Sequence, residues 1–130
     1  MLQNLAYKAY GDITKRTSSD RQLEQALFLQ ITEALESAAE AGPKEFLGWV
    51  DAIHRNLQLW TVLATDLLNP NNPLPDDLKG RLISIFQFVR RHSHTLLGGQ
   101  GDIADLIEIN RNIMGLPAKT GGPAVEGEAA

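Results

Sequence analysis

Residues that break helices divide this chain at three places, and they constrain its fold more than any other feature. The breaks are the Gly-Pro pair at 42–43, the run NPNNPLP at 69–75 and the run GGQG at 98–101. Proline interrupts a helix and restricts the residue before it, while glycine is disfavoured in helix interiors. Between the breaks, apolar residues recur every three or four positions, and there is no strand signal. The pattern predicts an all-α fold, a compact four-helix bundle-like domain.

The helix boundaries follow from these breaks and from residues that cap helices. The predicted helices run from about Asp20 to Ala41, from about Lys44 to Leu68, from Pro75 or Asp76 to the GGQG run, and from a cap at Asp102 to Gly115 or Leu116. They form one helical domain over residues 18–116. Residues 1–17 are interpreted as a partly ordered N-terminal arm, and residues 117–130 as a disordered tail that is poor in large apolar side chains.

The length, composition and charge of the chain disfavour several classes of protein. The 130 residues suit one domain, and the absence of cysteine excludes disulfides and thiolate zinc sites. No apolar run is long enough to cross a membrane, and the first residues do not resemble a signal peptide. The net charge of −4 disfavours direct nucleic-acid binding, which relies on Lys and Arg against phosphates. We therefore expect a cytoplasmic protein, without membrane insertion, whose partners are proteins.

The residues that often carry catalysis or bind metals are scattered along the chain. His92 belongs to the apolar side of the third helix, His94 lies off it and His54 is distant, so no helix face has metal-ligand spacing. No glycine-rich phosphate loop follows a strand, and no nucleophile is paired with a base. We expect no enzyme activity, no metal and no cofactor, and we interpret His92 as a partly buried structural imidazole.

One polar residue falls on the apolar face of the fourth helix. At 100° per residue, Asn110 lies near the middle of the apolar arc, whereas Asn112 lies opposite and Arg111 on the flank. The apolar members of the arc are Ile103, Leu106, Ile107, Ile113 and Met114. An unpaired buried amide costs roughly 1–3 kcal/mol, so Asn110 needs hydrogen-bond partners. We expect it to bond a backbone group where a loop or the N-terminal arm crosses the helix; contact with a ligand or partner is the alternative.

Two helices carry more apolar surface than one packing contact requires. On the third helix, Ile83, Phe86 and Leu97 widen the apolar arc to roughly 200°. Either that helix is central and packed on two sides, or part of its face awaits a partner. On the second helix, Leu59 and Val62 lie opposite the main seam. The seam consists of Phe46, Val50, Ile53, Leu57, Trp60, Ala64 and Leu67. The candidate partner-binding residues are therefore Ile83, Phe86 and Leu97 on the third helix and Leu59 and Val62 on the second.

Three stretches of the chain are distinctive as motifs. They are NLQLWTVLATDLLNPNNPLPDDLKGRLISI at 56–85, FVRRHSHTLLGG at 88–99 and LIEINRNIMGL at 106–116. Together they resemble the FlaF family of flagellar biosynthesis regulators from alphaproteobacteria. The segment AYGDITKRTSSDRQLEQALFLQIT resembles the N-terminal half of the family more loosely. The likeness covers about residues 5–116 and leaves out the C-terminal tail.

The resemblance implies a small helical cytoplasmic protein that is needed for flagellin production and export and that has no catalytic motif. The leading hypothesis is a secretion chaperone that shields an amphipathic flagellin helix in an apolar groove on the second and third helices. The alternative is a positive post-transcriptional regulator of flagellin synthesis, acting with or against the translational repressor FlbT. A structural component of the flagellum has less support, because the chain lacks self-assembling heptads.

Overall fold

The computed structural model describes the backbone of residues 18–115 and the side chains of residues 25–115. Within that range the chain forms four α-helices and no strand, which confirms the predicted all-α bundle. The helices are α1 (Ser18–Ala41), α2 (Phe46–Leu67), α3 (Asp76–Leu97) and α4 (Ala104–Met114). The predicted arm at 1–17 and the predicted tail at 117–130 lie outside the described residues.

Two glycines and an aspartate set helix ends where the sequence predicts them. Gly42 follows α1 with a φ of 87°, and its N–H donates to the Ala38 carbonyl at 2.8 Å. Gly115 ends α4 with a φ of 73°, a left-handed conformation that glycine adopts without steric cost. At the start of α4, the Asp102 carboxylate accepts a hydrogen bond from the Ala104 N–H at 2.9 Å. The described helix ends agree with the predicted ones to within two residues.

Asparagines order the connector between α2 and α3. The Asn69 side chain accepts a hydrogen bond from the Asn71 N–H at 2.8 Å, and the Asn72 side chain accepts one from the Leu74 N–H at 3.0 Å. The Asn72 amide also donates to the Asp66 carbonyl at 3.1 Å, which ties the connector to the end of α2. This compact connector is too short to run back along a helix of 22 residues, so α3 is antiparallel to α2.

Two helices, α1 and α2, lie in the middle of the bundle, and α2 is the one that packs closely against α3. The α2 helix packs against both α1 and α3, while α1 also packs against α4, so α3 lies at the edge of the arrangement. Eight residues of α2 are buried, against four of α3. Of the two alternatives for the third helix, the one in which it is central and packed on two sides is therefore wrong. A helix with two close neighbours must bury two flanks, and the helices that do so are α1 and α2.

The buried face of α2 is rotated away from the predicted seam. Ile53 and Trp60 are buried as predicted, but Phe46, at the start of the helix, is 61 % exposed. The flank beside the seam is buried as well, through Ala52, Asn56, Leu59 and Leu63. The rotation follows from the position of α2 between two helices, because a second neighbour covers side chains that a single seam would leave outside.

Trp60 anchors the core. It has no exposed surface, and its ring meets that of Phe28 on α1 edge-on, with the centroids 6.1 Å apart and the planes at 81°. Such aromatic pairs contribute about 0.5–1.5 kcal/mol beyond the burial of their surface. All four helices supply the other large core residues, among them Ile31, Leu35, Ile53, Leu63, Leu67, Leu82, Val89, Leu96 and Leu106. The core therefore extends along α2, and Leu106 contributes to it from α4.

Candidate partner-binding surface

Asn110 is the centre of a hydrogen-bond network inside the bundle. Its carbonyl oxygen accepts from the Trp60 indole N–H at 3.0 Å. Its amide nitrogen donates to Asn56 Oδ1 at 2.7 Å and to Thr32 Oγ1 at 3.1 Å. All four side chains have 0 % exposure, and they join α1, α2 and α4. Asn110 is thus buried and paired, but the expectation of a backbone partner is wrong, because the neighbouring helices supply indole, amide and hydroxyl groups instead.

The polar interior leaves two groups unsatisfied. Thr32 Oγ1 donates onward to the Phe28 carbonyl at 2.8 Å. Among the described residues, Asn56 Nδ2 and Ser93 Oγ are buried polar atoms without a hydrogen-bond partner. An unsatisfied buried group costs roughly 1–3 kcal/mol. Within the Asn110 network, which joins α1, α2 and α4, the unsatisfied Asn56 Nδ2 lowers the stability that the other bonds provide.

Arg111 on α4 is paired with Glu36 on α1. Its Nε and Nη2 both donate to Glu36 Oε2, at 3.1 and 2.8 Å. The two side chains are only 13 % and 10 % exposed, so water screens the pair weakly. This ion pair fixes the flank of α4 against α1. The guanidinium is engaged within the bundle and does not belong to a surface for partners.

His92 joins the end of α3 to the start of α4. Its Nε2 lies 2.8 Å from the Asp102 carbonyl oxygen and 3.2 Å from the Asp105 carboxylate, and its ring stacks on Phe88 at 5.1 Å. The loop passes so close to the ring that a Cβ on Gly101 would lie 3.1 Å from His92 Cε1. These contacts give His92 a structural role. The described residues contain no group of three or more His, Cys, Asp or Glu that could hold a metal ion.

One face of α3 carries apolar and basic residues in a continuous row, which we name the α3 outer stripe. Its members follow one another at steps of three or four residues, which places them within roughly 80° of the helix circumference. They are Lys79, Ile83, Phe86, Arg90, His94 and Leu97. Ile83 and Phe86 are half-buried against the core, and Leu97 is 37 % exposed. The three α3 residues that the sequence singled out therefore share one surface.

The α3 outer stripe faces away from α4. His92, which contacts the start of α4, lies on the opposite flank of α3. Between the stripe and His92 lies the buried face of the helix, with Leu82, Val89 and Leu96. Within the described part of the chain, α2 is the only helix that packs closely along α3. The stripe thus borders α2 on one side and is uncovered by the other described helices.

The two candidate residues on α2 differ in accessibility. Leu59 is 1 % exposed and belongs to the core, so the prediction that it contacts a partner is wrong for the folded bundle. The side of α2 that lies opposite the predicted seam is therefore in part buried in the core. Val62 is half-buried at the margin of this face and stays a candidate.

Among the described residues, the most exposed large apolar side chains are not the predicted site residues. Leu47 is 82 % exposed, Leu68 71 % and Phe46 61 %. Because α2 and α3 are antiparallel, the start of α2 with Phe46 and Leu47 lies toward the same end of the bundle as Leu97. Phe46 keeps the spacing of a seam residue, so no signal in the sequence distinguishes it. Periodicity gives the side of a helix but not how far the neighbouring helix extends.

Asp66, at the end of α2, has a perturbed carboxyl group. Its burial raises its pKa above the ordinary value of 3.8, because desolvation disfavours the charged form. A hydrogen bond from the Asn72 amide, at 3.4 Å, opposes the shift. The perturbation therefore arises from the way the α2–α3 connector folds over the end of α2.

These features define a small helical bundle with a buried hydrogen-bond network and with an apolar and basic stripe on α3, a helix at its edge. In the part of the chain that the structure describes, no helix has both the length and the apolar character needed to span a membrane. The family model of the flagellar protein FlaF matches residues 6–116, and the chain therefore belongs to the FlaF family. No curated protein and no solved structure matches the chain. Membership confirms the resemblance in the motifs and gives the protein a role connected with the flagellum.

Proposed function

We propose that this protein is a cytoplasmic export chaperone that holds an amphipathic flagellin helix against the α3 outer stripe. Its family supports a flagellar role. The observation that carries the finer proposal is the row of Ile83, Phe86 and Leu97, partly exposed on a helix with one close neighbour. A helix that lies along such a row can place its own apolar residues at i, i+3 or i+4, and i+7 against it.

The size and support of the stripe suit a partner that is held and then released. Ile83 and Phe86 pack against the core, so they are positioned before a partner arrives. Three partly exposed apolar side chains provide much less area than a permanent interface, which buries about 2,000 Å² or more. We therefore propose moderate affinity, protection of flagellin from premature self-association and release at the export apparatus. This role requires no catalysis, metal or cofactor.

A second candidate function is regulation of flagellin synthesis through another protein, with FlbT as the proposed partner. It is favoured by Phe46 and Leu47, two adjacent and largely exposed apolar residues at the start of α2. Adjacent exposed apolar side chains offer a surface that a protein partner can cover. It lies outside the α3 outer stripe, so a chaperone surface and a regulatory surface can coexist on one bundle.

A matched pair of charge insertions tests the chaperone proposal. Leu97→Glu places a charge in the α3 outer stripe, whereas Leu68→Glu places one on an exposed residue toward the other end of the bundle. Calorimetric titration of each full-length variant with monomeric flagellin measures binding, and circular dichroism verifies the fold. We expect Leu97→Glu to weaken binding at least tenfold, because an apolar contact desolvates the new carboxylate. Leu68→Glu should bind like the unmodified protein.

Two results would contradict the proposal. If the unmodified protein does not bind flagellin, the chaperone role is wrong. If it binds and both variants bind equally well, the contact lies on another surface. Leu47→Glu addresses the second candidate function in the same way, because it should weaken binding to FlbT while it leaves flagellin binding intact.

A further inference from the structure

Positive charge is concentrated on the edge helix of an otherwise acidic protein. The chain has a net charge of −4, yet α3 contains four Lys and Arg residues and two Asp residues. Both Asp residues are in the first turn of the helix, where their negative charge interacts favourably with the positive end of the helix dipole. The four cations are Lys79, Arg81, Arg90 and Arg91. None of them has an ion-pair partner among the described residues, so their charge is directed to solvent or to a partner.

Two of these cations belong to the α3 outer stripe. Lys79 lies one turn before Ile83, and Arg90 lies one turn after Phe86. The spacing Lys79–Ile83–Phe86–Arg90 is four, three and four residues, so it is the same in both chain directions. The two cations are eleven positions apart, about 16 Å along the helix axis. Arg81 and Arg91 lie on other faces of the same helix.

We propose that the α3 outer stripe selects an amphipathic helix whose apolar residues are flanked by two acidic residues about three turns apart. Apolar contact with Ile83 and Phe86 supplies the attraction, and the acidic residues pair with Lys79 and Arg90. Because the spacing is symmetric, the partner helix can lie parallel or antiparallel to α3. This inference rests on the proposed function for the identity of the partner, and it adds the sequence pattern that marks the bound segment of flagellin.

The charge pattern also sets how the complex is selected. Paired charges at the rim of an apolar contact chiefly affect the rate of association and the rejection of wrong partners. Apolar helices with basic flanks would face Lys79 and Arg90 with like charge. The Debye length is about 8 Å at physiological salt, so exposed pairs of this kind weaken as salt rises. Binding should therefore fall with added salt more steeply than a purely apolar contact would allow.

Two double variants with the same change in net charge test the inference. Lys79→Glu/Arg90→Glu reverses the charges of the stripe, and Arg81→Glu/Arg91→Glu reverses those on the other faces. The probes are monomeric flagellin and a synthetic helical peptide with two Glu residues eleven positions apart and Leu four and seven positions after the first Glu. A second peptide carries Gln in place of both Glu residues. Binding is measured by titration at low and physiological salt, and circular dichroism verifies that each variant is folded.

We expect the unmodified protein to bind the Glu peptide at least tenfold more tightly than the Gln peptide. The stripe variant should lose this preference and bind flagellin at least tenfold more weakly, while the control variant keeps both properties. Should the stripe variant fail to fold, Lys79→Gln/Arg90→Gln takes its place, with the same loss of preference expected. The inference is overturned if both variants weaken binding equally, since long-range attraction alone would then explain the effect.

The two probes separate this inference from the proposed function. Binding of flagellin that neither double variant changes would leave the chaperone role standing and would overturn the charge pattern. A stripe-dependent preference for the Glu peptide without any binding of flagellin would support the pattern and overturn the chaperone role. If the stripe variant loses binding to flagellin leader RNA and the Glu peptide is not bound, the surface recognises nucleic acid and the inference is wrong.

Discussion

Both the oxygen and the nitrogen of the Asn110 amide are hydrogen-bonded, and this explains how a polar side chain can be fully buried in the bundle. Its oxygen accepts from Trp60 and its nitrogen donates to Asn56 and Thr32, all without exposure to solvent. A Leu of similar size would fit the space but could not replace these bonds. Two of its three partners need it directly, because the Trp60 N–H and Asn56 Oδ1 have no other hydrogen bond among the described residues.

The first prediction concerns this amide. Asn110→Leu leaves the Trp60 N–H and Asn56 Oδ1 unpaired, and each orphaned group costs roughly 1–3 kcal/mol. We expect the free energy of unfolding to fall by about 2–4 kcal/mol, measured by urea denaturation. Asn112 is exposed on the same helix, so Asn112→Ala should change stability by less than about 0.5 kcal/mol. Equal losses for the two variants would contradict the network.

The sequence indicates that Asn110 is buried but not what it bonds. Its position on the apolar side of α4 can be inferred from the spacing of residues within that helix alone. Its partners lie 78 residues away at Thr32 and 54 residues away at Asn56. A threonine or an asparagine inside a helix has the same spacing whether it faces solvent or another helix. Only the packing of α1, α2 and α4 brings the three side chains together.

Among the helices, the position of α2 between two neighbours accounts for the difference between the predicted and observed surfaces. The second prediction compares the two α2 residues that lie opposite the predicted seam. Leu59 is 1 % exposed, so Leu59→Ala should cost about 2–5 kcal/mol of stability through lost burial and a cavity. Val62 is half-buried, and Val62→Ala should cost less than about 1 kcal/mol. Thermal unfolding, monitored by circular dichroism, measures both losses. Similar losses for the two variants would contradict the orientation of α2, in which Leu59 is buried and Val62 is not.

Periodicity predicts the existence and ends of these helices better than it predicts their neighbours. The breaks at 42–43, 69–75 and 98–101 are local, and the helices end at them. An apolar arc that is wider than one contact indicates either a second neighbour or a free surface, and the sequence does not decide between them. For Leu59 the answer is burial in the core. For Leu97 and Phe46 it is exposure, because no described helix extends over them.

For the whole molecule, the average charge conceals how the charge is arranged. A net charge of −4 argues against nucleic acid and indicates no particular partner. The fold places α3, with its four cations, at the edge of the bundle, where only α2 packs closely along it. The candidate surface is thus a product of topology: Ile83, Phe86 and Leu97 could be found from spacing, whereas the uncovered position of their helix could not.

The last prediction links the stability of the whole bundle to pH through Asp66. Burial raises its pKa above the unfolded value of 3.8, so the folded state holds the proton more tightly than the unfolded state does. This contribution to stability is present at low pH and is lost as the pH rises from 3.8 through the folded pKa. Asp66→Asn removes the ionisable group and keeps an oxygen that can accept from Asn72. The variant should therefore unfold at a higher Tm than the unmodified protein at pH 7, and the difference should shrink toward zero as the pH falls below 3.8. A difference in Tm that is constant from pH 3 to pH 7, or that grows toward acid, would show that the carboxyl is not destabilised by its burial at the connector.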